Sequence, residues 1–333
     1  MPQFCRHNRF LHRCPICRPQ EPPPAPKRGQ TGTHPRPAAG GGSEVRVRRV
    51  ARVVGDGYRS ELVPGLHARD DARRLAAELA FAAARLAELA AAPPGLYAEV
   101  ASEPDPEEAI WLAFLIAYLS PLEGDDPFAG IAAARTRWRD GGLPNVEGVA
   151  TGPRGAHDPA RGAETLAAYR RFAERAGSQL TGLTGEEHWP PERRFARAFE
   201  RLALPGLQRA ARVDFLVTLG RTGRLEARPG SLFLAAAAAH DPTALAARRV
   251  LGIADPLLLD RRAIALAEAC DVPLAAVELA LWNWQADPAD RATLGASAAA
   301  GGDEAASAGI EASLAVPTLK RRDARGAPGN LGP

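Results

Sequence analysis

Residues 106–119, PEEAIWLAFLIAYL, decide how the rest of this chain is read. Pro106 suits a first helical turn, where its missing N–H costs nothing. Glu107 and Glu108 then put negative charge at the positive end of the helix dipole. The run that follows, with Ile110, Trp111, Phe114, Leu115 and Tyr118, is apolar nearly all round, which is the pattern of a helix at the centre of a fold. Its strongly apolar part, 109–119, is too short to span a bilayer.

Working outward, helical signals dominate. Upstream, Leu75, Leu79, Ala82, Leu86 and Leu89 recur at helical spacing. That helix is expected to be capped by Asp70 or Asp71 and stopped by Pro93-Pro94-Gly95. Downstream, helices are expected at about 127–139, 159–176, 190–203, 206–220, 241–250, 256–270 and 273–285. In the last of these, Leu274, Val277, Leu281 and Trp284 form one apolar stripe with Glu278 on its flank. Residues 141–157 form a long loop, and such length often marks function. A hydrophobic fraction of 46% supports a real core, while only 6% aromatics and abundant Ala favour closely packed helices. The expected fold class is therefore all-α, a multi-helix globular domain over 44–286, with no internal repeat.

The two ends read differently. Residues 1–18 are a compact Cys/His segment, and 19–43 are a Pro/Gly linker that cannot bury a core. Residues 44–54, EVRVRRVARVV, suggest a short strand or hairpin, and 287–333 read as a disordered Ala/Gly/Ser-rich tail. Charge is uneven: 1–59 hold 12 Lys/Arg against 3 Asp/Glu, so a net charge of +3 conceals a basic arm on a mildly acidic body. A basic arm suits a polyanion such as DNA, through phosphate attraction and counterion release, though a solvated tail has the same composition.

Four cysteines do not form a disulfide framework, since three fall within the first 17 residues and Cys270 stands alone. The opening MPQFCRHNRF has no apolar run, so no secretory signal and a cytoplasmic location are expected. Cys5, His7, Cys14 and Cys17 supply four borderline-soft donors within 13 residues, enough to close a tetrahedral zinc shell. His12 is an alternative to His7. A shell filled by four protein ligands makes the zinc structural rather than catalytic. Phosphate-binding loops, Ser-His-Asp sets, HExxH and Rossmann glycine patterns are all missing, which removes the commonest NTPase, hydrolase and dehydrogenase readings.

Two stretches look like helical hairpins that meet DNA. Leu204-Pro205-Gly206-Leu207 resembles the LPG hairpin of helix-hairpin-helix proteins, with Gln208 in place of the usual second glycine. The stretch from Leu251-Gly252-Ile253 to Glu278 is similar to the hairpin and following helix of helix-hairpin-helix glycosylases. Glu278 would fall at that family's catalytic Asp, but about three residues are extra and Leu279-Ala280 stand where Thr-His follows. Arg209, Arg212 and Asp214 lie in an otherwise apolar helix, Arg261-Arg262 follow a Leu run, and Asp255-Pro256 reads as an ordinary cap and first turn. His188-Trp189 precedes a helix, where a base could stack.

Across about 58–285 the chain resembles the α-glutamyl/putrescinyl thymine pyrophosphorylase family, clade 3. The stretches that carry the likeness are GYRSELVPGL (57–66), EEAIWLAFLIAYLSPLEGDDPFAGI (107–131), RAARVDFLVTLGRTG (209–223) and VLGIADPLLLDRRAIALAEACDVPLAAVELALWNW (250–284). The resemblance implies an enzyme of DNA-base hypermodification, in which an amine displaces pyrophosphate from a pyrophosphorylated hydroxymethyl pyrimidine. That chemistry needs a flipped base, cations for the leaving group and a proton acceptor. On chemical grounds Arg209, Arg212, Arg261 and Arg262 are the phosphate-side candidates, and Asp214, Asp255 or Glu278 the acceptors. Helices 206–220 and 256–285 are then expected to be neighbours, with Arg209 or Arg212 within reach of Arg261 or Arg262. A non-catalytic DNA-binding adaptor is the second reading and a glycosylase-like enzyme the third.

Overall fold

A computed structural model describes residues 55–287, 290–296 and 304–316, and these contain twelve α-helices and no strand. The all-α expectation holds. The Cys/His segment, the linker and the 44–54 strand expectation lie outside the described residues.

The helices are α1 (Arg69–Ala91), α2 (Leu96–Ser102), α3 (Pro106–Leu119), α4 (Ala129–Ala134), α5 (Gly162–Ala176) and α6 (Gln179–Leu183). They continue as α7 (Pro191–Arg201), α8 (Arg209–Arg221), α9 (Pro242–Leu251), α10 (Pro256–Ala269), α11 (Leu274–Gln285) and α12 (Glu304–Ser313). Every residue of α3 from Ala109 to Leu119 is buried, so the continuous apolar run does mark the centre. Asp105 caps it, accepting from the Glu107 N–H, with Pro106 in the first turn. The stripe of α1 is buried as well. Its cap is not Asp70 or Asp71, which sit in the first turn; instead Asp56 reaches across to accept from the Arg69 N–H at 3.1 Å.

Two apolar clusters organise the domain. One joins α1, α9, α10, α11 and α12 with the segment around Tyr58–Leu66. The other gathers α2 to α8 around α3, where Phe114 stacks on Tyr169 at 3.7 Å. Helix α8 contributes to the second cluster through Phe215, Leu216 and Leu219 and faces α11 of the first. With neighbours on both sides it has no solvated face, so its polar side chains must be satisfied inside the protein.

The tail departs from expectation over 304–316. Ala and Ser favour no other structure strongly enough to prevent α12, and burial of Ile310, Leu314 and Val316 against α1 supplies what periodicity did not advertise. Tyr58 clamps its end, donating from the phenol to the Leu314 carbonyl at 2.6 Å. Short helices α2 and α6 were also not expected, being too brief for a periodic signal.

Candidate functional site

Between the two clusters lies a chain of buried charges. Arg154 comes from the 141–157 loop, which is laid against the end of α3: the Gly152 N–H donates to Leu119 O and the Ala156 N–H to Tyr118 O. The approach is close enough that a Cβ on Gly152 would lie 1.9 Å from Pro121 O, and one on Gly155 2.8 Å from Leu119 O. Held this way, the Arg154 side chain is fully buried and forks onto Asp214 of α8, with Nε to Oδ2 and Nη2 to Oδ1 both at 2.7 Å. Nη2 also donates to Glu278 Oε2 of α11 at 2.6 Å.

Arg209 is the second node. Its Nε donates to Asp241 Oδ2 at 2.8 Å, its Nη2 to Glu278 Oε1 at 2.8 Å, and its Nη1 to the Leu232 carbonyl at 3.0 Å. Thr243 adds a hydroxyl hydrogen bond to Glu278 Oε1 at 3.0 Å. Glu278 is thus the keystone, accepting from two arginines and a threonine with its side chain 3% exposed. Asp241 doubles as the cap of α9, accepting from the Ala244 N–H.

The carboxylates are tuned in opposite directions. Burial alone would raise Glu278, but Arg154 and Arg209 on either side hold it below its ordinary 4.5. At Asp214 burial outweighs Arg154, and neighbouring Glu278 adds to it, so that carboxyl is lifted above its ordinary 3.8. A depressed carboxylate stabilises the fold above its unfolded pKa and loses that contribution as pH falls through its folded value. Asp214 works the other way, contributing below 3.8 and losing that as pH rises. Glu278→Gln should therefore lower stability at neutral pH and flatten its decline on acidification below about 4.5. Urea midpoints across that range check this; parallel acid limbs in both proteins would contradict it.

Beside the network opens a cleft of about 420 Å³. Its walls include Arg209, Arg212, His240, Asp241, Trp282 and Asp290. Arg154 sits over the Trp282 ring at 4.7 Å, which fixes that indole from behind. Arg212 lies 4.2 Å over the Phe199 ring and donates from Nη1 to the Phe199 carbonyl at 3.3 Å. Unlike its neighbours it has no carboxylate among the described residues, and its Nε is buried without an acceptor.

Of the residues singled out from sequence, the fold brings together Arg209, Asp214 and Glu278, with Arg212 at the edge. The neighbouring of 206–220 with the 273–285 part of the second stretch is met through Arg209 and Glu278. The expected approach of Arg261 and Arg262 is not. Both lie exposed on α10, neither is among the residues lining the cleft that Arg209 and Arg212 border, and Arg262 donates to the Leu251 carbonyl. Asp255 is engaged as the cap of α10 by the Leu257 and Leu258 N–H groups, a local role its Pro neighbour announced. Trp189 borders a separate hollow with Arg201, and Arg193 covers its ring at 4.3 Å.

Sequence reasoning missed Arg154, Asp241, Thr243 and Trp282. The loop carrying Arg154 had been marked by its length, and Asp241-Pro242 repeats the Asp-Pro signature of Asp255-Pro256. Among the described residues no group of three His, Cys, Asp or Glu could hold a metal, and no helix is long and apolar enough to cross a membrane. No family model, curated protein or solved structure matches the chain.

Proposed function

We propose that this protein is a DNA-acting enzyme that modifies a pyrimidine base, an amine displacing pyrophosphate from a hydroxymethyl-pyrimidine derivative. The observation that carries the reading is the cleft, whose lining includes both a buried arginine with no carboxylate partner among the described residues and an indole braced by a second arginine. A flipped base has a π-face for Trp282, and a leaving pyrophosphate has oxygens for Arg212. In the reaction the amine nitrogen bonds to the exocyclic methylene carbon as the carbon–oxygen bond to pyrophosphate breaks. The nitrogen's surplus proton passes to an acceptor at the cleft. Glu278 and Asp214 are committed to arginines, which leaves His240 and Asp290, both exposed on the cleft wall and in no ion pair among the described residues, as the better candidates.

Arg212→Ala should reduce turnover on pyrophosphorylated DNA by about 10²–10³, the scale of losing one group that stabilises developing charge. Duplex affinity should change little. An adaptor gives the reverse, with no turnover in the parent protein and weaker DNA binding in the variant.

The proposal includes a structural zinc on Cys5, His7, Cys14 and Cys17, with His12 the alternative to His7. Purified protein should carry about one zinc, and Cys14→Ser should release it while leaving thermal unfolding of the helical domain unchanged. Metal analysis of freshly reduced protein finding none would remove this part.

A further inference from the structure

A second hollow, at about 580 Å³ larger than the cleft, lies at the other end of α8. Its walls come from the start of α7, the last turn of α8, residues 225–229 and the start of α11. Arg209 on the cleft and Arg221 on this hollow stand roughly 18 Å apart along α8 at about 1.5 Å per residue, so the two are distinct. The walls are fixed. Gly220 packs so closely on the segment that follows that a Cβ there would lie 2.3 Å from Ala227 O. Arg224 ties the same segment to α2, donating from Nε to the Val100 carbonyl at 2.7 Å. Pro191, Pro229 and Pro273 stiffen the wall, since proline fixes one backbone dihedral at each. A hollow of this size is in the range that holds small organic molecules.

Three charged side chains line it. Glu226 pairs with Arg194 at 2.7 Å and Arg228 with Glu192 at 2.6 Å. Arg221 is the exception. It is half-buried, has no hydrogen bond, ion pair or ring contact among the described residues, and none of its nitrogens is sealed from solvent. Every other buried or half-buried arginine among the described residues has a partner. Burial pulls the Arg221 pKa down, as expected of a cation short of an anion. Around it Val217, Leu225, Ala227 and Leu274 are half-buried and leave apolar surface uncovered. One cation in an apolar hollow suits one anionic head on an apolar body, and the planar fork of arginine matches a carboxylate through two parallel hydrogen bonds. A polyanion suits it poorly, because Glu226 adds negative charge to the same wall.

We propose that the hollow at the end of α8 binds a small organic carboxylate, its head on Arg221 and its apolar body against Val217, Leu225 and Leu274. The site is separate from the base-modifying reading and stands without it.

The test is calorimetric titration of the full-length protein with phenylacetate, with its neutral counterpart phenylacetamide, and with inorganic phosphate. Phenylacetate should bind saturably, and the other two about tenfold more weakly or worse, since each keeps only half of the match. Arg221→Gln should bring phenylacetate down to the affinity of the amide while unfolding at or above the parent temperature, because the side chain has no contact to lose. Arg221→Lys keeps the charge without the fork and should fall between the two. No saturable phenylacetate binding up to about 10 mM, equal affinity for acid and amide, or parent affinity in folded Arg221→Gln would overturn the site. Phosphate held more tightly than phenylacetate would overturn the carboxylate assignment.

Discussion

Glu278→Ala is expected to destabilise the protein by about 3–5 kcal/mol, the cost of leaving buried charge without its partner. The side chain accepts from Arg154, Arg209 and Thr243, and its loss strands two buried guanidinium groups at once. Asp214 and Asp241 still hold one side of each arginine, which limits the damage to the lower part of the range or its middle. Because the network bridges α8 and α11, the two apolar clusters should lose cooperativity together, not in separate steps. Denaturant unfolding followed by both tryptophan fluorescence and circular dichroism measures the effect. A loss under about 1 kcal/mol would mean that Glu278 is not the keystone described.

Gly152→Ala should be nearly as severe, although it adds only a methyl group. That Cβ would sit 1.9 Å from Pro121 O and 2.8 Å from Ser120 Oγ, so the 141–157 loop must lift from the end of α3. Overpacking of this kind costs about 1–3 kcal/mol by itself. Here it also withdraws Arg154 from Asp214 and Glu278, bringing the expected total to about 3 kcal/mol or more. The same shift removes the cation behind Trp282, so the cleft should lose ligand affinity even at temperatures where the variant remains folded. Gly142→Ala is the control, since a Cβ there meets nothing within 4 Å and both properties should stay near the parent values. Equal behaviour of the two variants would contradict the account of the loop.

Particular elements show why the helices were legible and half of the site was not. Helix α3 announced itself because an all-round apolar run admits only a central position. Asp255 was legible as a cap because Asp-Pro encodes its hydrogen bonds locally. Glu278 read as a flanking residue on a one-sided stripe; the structure buries α11 on more than one side, so the flank becomes interior. Arg154 carried no pattern of its own, since its position is set by glycines meeting the end of α3 rather than by neighbours in sequence. Arg261 and Arg262 followed a Leu run that suggested burial, yet Leu257 and Leu258 are themselves exposed, so the face carrying them turns outward. Charge in an apolar helix was the useful signal, and α8 obeyed it.

The most direct measurement supplies the full-length protein with DNA carrying a pyrophosphorylated hydroxymethyl pyrimidine and with glutamate or putrescine as the amine. Released pyrophosphate is quantified, and the digested nucleosides are weighed by mass spectrometry. The account predicts pyrophosphate and amine-bearing nucleoside in equal amounts, both formed about 10²–10³ times more slowly in Arg212→Ala. DNA that is bound yet returned unaltered with either amine would contradict it.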